Sequence, residues 1–246
     1  MRPVNKLNPS DVVVLPDGTQ SIISDTYTDY TDAKAILVAN LDCSCSYCEN
    51  AYNLERDLQV EHIQPKGLSQ YTPLKTKWSN FLLACPTCNG MDNKGEKDVK
   101  LEEVHLPHRN NTYLSLVYRE GGVVEVNPVL TGEAYKHAEN LWKLVGLNKT
   151  PETSSSKDNR WEKRGIDWKL ANRFLAKYRA NKADVETIIE LVKGRGGWSI
   201  WFTVFEGVDE VRKALINDFR GTAAECFDAN NHYAPRPRNE GQADPV

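Results

Sequence analysis

Four of the six cysteines stand in two closely spaced pairs, the arrangement in this sequence most able to hold a metal. Cys45 and Cys48 form the first pair and Cys85 and Cys88 the second, each with the spacing C-x-x-C. Such a turn aims two thiolates at one point, and two turns supply a closed tetrahedral sulfur site suited to structural zinc. The sequence therefore predicts a structural zinc held by these four residues.

Two alternatives accompany this zinc site. In CSCSYC (43–48), Cys43 could replace Cys45, although only Cys45 reproduces the spacing of the second pair. A thiol redox protein would instead use reactive C-x-x-C pairs and hold no zinc. Cys226 stands alone, and we expect it to be a buried thiol.

A carboxylate and an imidazole stand side by side between the two cysteine pairs. The pairs are separated by 36 residues, whereas an ordinary zinc ribbon has roughly 15 to 20. Glu61 and His62 lie in this interval, in VEHIQP (60–65), for which we predict a short strand. A histidine that is neutral near pH 7 can take a proton from water. We expect the metal to clamp the base of a unit that displays His62.

The cysteine pairs and the residues between them resemble the HNH, or ββα-metal, endonucleases. The signature of that family is an acidic residue and a histidine on one strand, an asparagine before LL-x-C, and a histidine or asparagine that begins a helix after the second pair. Glu61 and His62 match the first element, Asn80 the second and Asn89 the third. The resemblance implies a metal-dependent endonuclease that hydrolyses DNA phosphodiester bonds.

The same resemblance implies a catalytic role for each matched residue. His62 is the general base that activates water for attack on phosphorus. Glu61 and Asn89 offer hard oxygen ligands to a catalytic Mg²⁺ or Mn²⁺, and Asn80 orients the histidine or its loop. The family often has a lysine about three residues after the third element, whereas Lys94 follows Asn89 by five residues. We therefore assign no role to Lys94.

Longer strings along nearly the whole chain resemble the PtuB family, the HNH subunits of Septu-type antiphage defence systems. In order, the strings are MRPV, CSYCE, VEHIQPK, WSNFLLACPTCN, LPHRNNT and FRGTAAECFD. This resemblance implies a nuclease effector that attacks DNA beside an ATPase partner subunit of the PtuA kind. The alternative is a non-catalytic, zinc-stabilised module that binds nucleic acid or protein.

A mixed fold must position these residues. We predict an α+β protein in which the ββα-metal (HNH) finger, clamped by the four-cysteine zinc, precedes a mostly helical C-terminal region. The predicted segments are a lead-in (1–40), the HNH nuclease core (41–100), a hairpin and helix extension (101–147), a helical region (160–230) and a polar tail (231–246). Residues 148–159 lack large apolar side chains and are the best linker candidate.

Local patterns predict several elements of this fold. Apolar residues at helical spacing predict helices near 32–41, over 132–148 and repeatedly after 160, and alternation predicts a hairpin over 113–128. Residues 194–207 suit a helix or an extended strand. His105 and His108 lie in a stretch with loop composition, where we expect solvated side chains, and we assign no role to His137 or His232.

The charge of the chain excludes a generally basic nucleic-acid coat protein. The net charge is -3 and the isoelectric point about 6.0, so any contact with nucleic acid must be local or assisted by a partner. From Lys157 to Lys182, nine lysines and arginines accompany three acidic residues. This stretch suits a helix on the phosphate backbone and a solvated helix face about equally.

The chain shows neither a membrane span nor an export signal. No segment approaches the roughly 18 apolar residues that a spanning helix needs, and the first residues contain no apolar run. We therefore predict a cytoplasmic protein without membrane contact.

Overall fold

A computed structural model describes residues 1–150, 152–153 and 158–246. Pro151 and residues 154–157, which include Lys157 of the basic stretch, lie outside the described residues, and so does that part of the predicted linker 148–159.

The first part of the chain consists of two antiparallel hairpins and short helices. Its strands and helices, in chain order, are β1 (Val12–Val14), β2 (Gln20–Ile22), α1 (Lys34–Leu41), β3 (Gln59–His62), β4 (Phe81–Ala84) and α2 (Pro86–Asn89). Strand β3 pairs with β4 so that His62 lies opposite Phe81. Helix α1 continues a 3₁₀ turn capped by Asp29, whose carboxylate accepts from Thr31 N–H. The helix predicted near 32–41 is present, and the short strand predicted around Glu61 and His62 is present as β3, which ends at His62.

The helix of the finger is only one turn long, which differs from the family signature. Asn89 ends α2 instead of beginning a helix. Gly90, which follows, has an extended conformation (φ -71°, ψ 164°), and glycine is a poor helix former because its unfolded backbone has more freedom to lose. Asn89 therefore lies at the end of a turn that begins directly at Cys85.

The middle of the chain contains a hairpin and one longer helix. Its elements are α3 (Thr112–Ser115), β5 (Leu116–Tyr118), β6 (Val124–Val126) and α4 (Gly132–Leu144). The hairpin predicted over 113–128 is present at its centre, but its first residues form α3, because the Asn111 side chain accepts from Tyr113 N–H and caps a helical turn. Gly146 follows α4 with φ 66°, as expected for a helix end.

The C-terminal part is mostly helical, as predicted. It contains α5 (Arg160–Arg179), α6 (Val185–Arg195), α7 (Trp198–Val204), α8 (Asp209–Asn217), β7 (Phe227–Asp228) and β8 (Ala234–Pro235). The ambiguous segment 194–207 is therefore helical over α7, where the Trp198 and Phe202 rings stack 4.6 Å apart. Among the helices of the described residues, none is long and apolar enough to cross a bilayer.

One hydrophobic core joins these parts. The buried apolar cluster contains side chains from four of the five predicted segments, from Met1 to Phe227. The predicted polar tail (231–246) also packs against the body, since Arg238 donates to the Val4 carbonyl and Val246 is buried. The segments named from the sequence thus share one interior, in which the finger is embedded.

Candidate active site and metal centre

The two cysteine pairs meet at one point in the interior. Cys45 and Cys48 precede β3, and Cys85 and Cys88 flank and lie within α2. All four side chains are buried, and their sulfur atoms lie within 4.8 Å of one another. Cys43 is half-buried and lies outside this cluster. The structure therefore brings together the set with matched C-x-x-C spacing.

The geometry of the four sulfurs suits a tetrahedral metal. The Sγ atoms of Cys48 and Cys85 are 3.7 Å apart, and a tetrahedron with Zn–S bonds of about 2.3 Å has sulfur–sulfur edges of about 3.8 Å. Burial raises the pKa of the Cys45 and Cys88 thiols, whereas hydrogen bonds from the neighbouring thiols lower the pKa of Cys85. A divalent cation would remove the cost of deprotonating four buried thiols, so the cluster fits a structural metal such as zinc.

Arg160 connects this cluster to distant parts of the chain. Its Nη1 donates to Cys88 Sγ at 3.0 Å and to the Val145 carbonyl at 2.8 Å. Nε and Nη2 donate to the two carboxylate oxygens of Asp158, each at 2.8 Å. A site with four thiolates and one Zn²⁺ carries two negative charges, and Arg160 offsets part of them. Sequence patterns gave no indication of this contact, because it joins residues 72 positions apart.

His62 lies in a cavity of about 400 Å³ beside the finger. The cavity is also lined by Asn89 and by the lysines Lys34, Lys66 and Lys94. The imidazole packs edge-on against the rings of Tyr30, at 4.8 Å, and Phe81, at 5.2 Å. These rings fix the plane of the imidazole. Lys34 and Lys66 add positive charge to the cavity, Lys94 is paired with Glu61, and Glu96 adds one negative charge to the lining.

One hydrogen bond defines the tautomer of His62. Its Nε2 lies 2.8 Å from the carbonyl oxygen of Lys75, and since a carbonyl only accepts, Nε2 carries the proton. Burial lowers the pKa of His62 below its usual value, so the ring is neutral near pH 7. In that state Nδ1 holds a lone pair, which is what a general base requires.

Glu61 lies in a polar interior site and is not among the residues that line the cavity. Its Oε1 lies 3.0 Å from Lys94 Nζ and accepts from the Tyr47 hydroxyl at 3.2 Å. Its Oε2 is buried and has no hydrogen-bond partner among the described residues. Burial raises the pKa of Glu61 to about 7, against the opposing effect of the Lys94 ammonium. Lys94, which the sequence left without a role, thus neutralises Glu61.

The two asparagines occupy different positions. Asn80 is buried, accepts from Gln64 N–H at 2.8 Å and donates to the Gln64 carbonyl at 2.9 Å, so it clamps the chain directly after β3. Asn89 lines the cavity and donates through Nδ2 to Gln59 Oε1 at 2.8 Å. That bond leaves the side-chain oxygen of Asn89 as its remaining acceptor.

The residues predicted to bind a catalytic ion have the right chemistry for Mg²⁺ or Mn²⁺. Glu61 Oε2 is a buried carboxylate oxygen without a partner among the described residues, and the Asn89 amide oxygen is a second hard donor. Asn89 lines the His62 cavity, whereas Glu61 is fully buried and is not among the residues that line it, so the cavity lining does not bring the two predicted ligands together.

Other sequence expectations need correction. His105 is completely buried instead of solvated, and burial lowers the pKa of His108 to about 3. Neither residue lines the His62 cavity.

Arg160 and Arg164, two cations of the basic stretch, are buried, so they cannot contact a phosphate backbone. Within the described residues, the exposed cations of that stretch lie farther along, at Lys169, Arg173, Lys177, Arg179 and Lys182.

Comparison with known proteins addresses the finger only. A search among curated proteins finds no match for the chain. Residues 45–95 match the family model described as HNH endonuclease. This range contains both cysteine pairs, the Glu61–His62 strand, Asn80 and Asn89. The match supports the HNH family for this part of the chain.

Proposed function

We propose that this protein is a metal-dependent endonuclease that hydrolyses DNA phosphodiester bonds, with His62 as the general base. The observation that carries the proposal is the neutral imidazole, held through Nε2 by the Lys75 carbonyl and placed with Asn89 in a lysine-lined cavity of the HNH domain. The domain match indicates nuclease activity in general. The individual residue roles are our inference from the contacts.

In this proposal each side chain performs one task. His62 takes the proton of a water molecule as that water attacks phosphorus. Asn80 holds the turn after His62 through its bonds to Gln64. Glu61 and Asn89 would hold a Mg²⁺ or Mn²⁺ if the buried Glu61 side chain turned toward the cavity that Asn89 lines. Such an ion would stabilise the charge on the scissile phosphate and the departing oxygen.

The cavity lysines would bind the DNA backbone next to the cleaved bond. Lys66 is exposed, and its Nζ lies 2.8 Å from the Tyr30 hydroxyl and 4.0 Å from the centre of that ring. Lys34 lines the same cavity. Contacts from lysine to phosphate are electrostatic and independent of base sequence, so they position DNA without selecting a site.

We further propose that the protein is the nuclease effector of a Septu-type antiphage complex with an ATPase partner subunit. This rests on the order of the strings from MRPV to FRGTAAECFD along the chain. The low overall charge of -3 is compatible with a partner that helps to hold the DNA. The exposed face of the helical region 160–230 is our candidate for contact with DNA or this partner.

Plasmid cleavage by matched histidine variants tests the proposal. Wild type, His62→Ala and His232→Ala are purified with zinc and assayed with Mg²⁺, with Mn²⁺ and with excess EDTA, each with and without a candidate ATPase. His232 is an exposed histidine paired with Asp209 and serves as the control. We expect wild type and His232→Ala to cut, and His62→Ala to lose about 10²- to 10⁴-fold in rate while its zinc content is unchanged.

Two outcomes would contradict the nuclease proposal. Equal cleavage by wild type and His62→Ala would remove the histidine from the mechanism. DNA or protein binding by wild type without cleavage under any condition would favour the non-catalytic binding module.

A further inference from the structure

Three residues from distant parts of the chain meet outside the HNH domain. His105 lies in the loop before α3, His137 lies on α4 and Asp244 lies near the last residues of the chain. Asp244 Oδ2 is 2.8 Å from His105 Nε2 and 2.6 Å from His137 Nδ1. One nitrogen from each imidazole and one carboxylate oxygen all lie within 4.8 Å of one another.

We propose that His105, His137 and Asp244 form a second metal site, which binds Zn²⁺ through two imidazole nitrogens and one carboxylate oxygen. Zinc accepts this donor set, and sites with three protein ligands complete the tetrahedron with a water molecule. The proposal is independent of the nuclease function, and the site shares no residue with the four-cysteine cluster.

The surroundings of His105 and Asp244 suit a cation. Burial lowers the pKa of His105. Although burial opposes it, hydrogen bonds from His137 and His105 hold the pKa of Asp244 below its usual value. The Asp244 oxygen that accepts these two hydrogen bonds is the carboxylate ligand atom of the proposed site.

A further contact orients one of the ligands. His105 Nδ1 lies 2.8 Å from Ser115 Oγ. In the metal-free site His105 Nε2 carries the proton that it donates to Asp244. Zinc binding requires the other tautomer, in which Nδ1 donates to Ser115 Oγ and Nε2 binds the metal, and metal-bound histidines almost always use their second ring nitrogen in this way. Ser115 is itself fully buried, so it holds the His105 ring in a fixed direction.

The site is accessible to an ion and has room to adapt. Asp244 and His137 are 16% and 17% exposed, whereas His105 is 1% exposed, so an ion and a water ligand can enter from the Asp244 side. Zinc bonds of about 2.0 to 2.2 Å in a tetrahedron put the ligand atoms about 3.4 Å apart. Rotation of the partly exposed Asp244 side chain would supply the required opening of roughly half an ångström or more.

Metal content gives the first test. The full chain is loaded with Zn²⁺, freed of loose metal by gel filtration, and analysed for zinc by mass spectrometry. We expect about two zinc ions per chain in wild type and about one in His137→Gln and in Asp244→Asn, because the sulfur site remains. Asp209→Asn breaks the exposed His232–Asp209 pair and should keep both.

Cobalt substitution assigns the two sites separately. Co²⁺ bound by four thiolates gives intense charge-transfer absorption, whereas a site of two imidazoles and a carboxylate gives only weak visible bands. The intense bands should be equal in wild type and both ligand variants, which also shows that the variants fold. Ser115→Ala should weaken binding of the second ion by roughly 10- to 100-fold.

Zinc binding to wild type alone can overturn the proposal, even if a variant fails to fold. A single zinc per chain, with no second ion bound below about 100 μM, would show that Asp244 only accepts hydrogen bonds from the two histidines. Two ions retained in both His137→Gln and Asp244→Asn would place the second ion elsewhere.

Discussion

Two buried cations contact acidic groups within residues 45–95, the part of the chain that matches the HNH endonuclease model. Lys94 Nζ lies 3.0 Å from Glu61 Oε1, and Arg160 Nη1 lies 3.0 Å from Cys88 Sγ. A buried charge without a partner costs several kcal/mol. We therefore expect the loss of either cation to affect mainly the acidic group that it contacts.

Replacement of Arg160 should weaken zinc retention. Arg160→Met leaves Asp158 and Cys88 without their shared donor, and loss of such an outer contact lowers metal affinity by about 10- to 100-fold. Zinc release to a chromogenic chelator measures the effect. Arg173→Met, an exposed arginine on the same helix α5, should release zinc like wild type. Equal release by both variants would show that Arg160 supports only the fold.

Replacement of Lys94 should make stability depend on pH. Lys94→Met leaves the Glu61 carboxylate buried without its cation, a loss of about 3 kcal/mol at pH 8. The pKa of Glu61 is already raised to about 7, so at pH 5 the variant holds a neutral carboxyl group and should lose less. Urea unfolding at both pH values measures this. The double variant Lys94→Met, Glu61→Gln should lose the same stability at both pH values. An equal loss of stability at pH 5 and pH 8 in the single variant Lys94→Met would contradict the ion-pair explanation.

At the scale of elements, local patterns were predictable and distant contacts were not. The spacing of the cysteines and the strand with Glu61 and His62 are properties of short segments, so the sequence indicated both. The turn of α3 was missed because it depends on the Asn111 cap inside an alternating pattern. The buried state of His105 was missed because Ser115, His137 and Asp244 approach it only after folding.

The corner between α6 and α7 offers a matched pair of glycines. Gly196 has φ 79°, and a Cβ there would lie 2.0 Å from the Glu49 carbonyl oxygen. Gly196→Ala should therefore destabilise the protein by at least about 1 to 3 kcal/mol. Gly194, within α6, has open space around its Cβ position, and Gly194→Ala should stabilise by about 0.5 to 1 kcal/mol. Thermal unfolding of both variants measures these changes in stability. A change of the same sign in both variants would contradict the close approach at Gly196.

At the scale of the whole molecule, two separate surfaces carry cations that could meet DNA. Lys34 and Lys66 line the His62 cavity, whereas Lys169, Arg173 and Lys177 are exposed on α5. The surface that binds phosphate contributes to the salt dependence of binding. Charge variants can therefore separate the two surfaces.

The cavity lysines should contribute to DNA binding in proportion to their number. Lys34→Gln with Lys66→Gln should reduce the slope of log K against log salt by about 1.8, since each phosphate contact contributes about 0.9. Fluorescence anisotropy with duplex DNA at several salt concentrations measures the slope. The comparison variant replaces Lys169, Arg173 and Lys177 with Gln. A reduced slope in that variant alone would place the DNA on α5.

The contacts around the finger also bear on how it is made in the cell. A nascent chain of the first 150 residues already has all four cysteines and His62. It lacks Arg160, the partner of Cys88, and Ser199, whose hydroxyl and N–H donate to the Glu49 carboxylate beside Cys48. Since translation adds about 5 to 20 residues per second, these partners emerge from the ribosome seconds after the cysteines. Completion of the contacts around the cysteine cluster is therefore coupled to completion of the helical region, and a prematurely terminated chain would lack both partners.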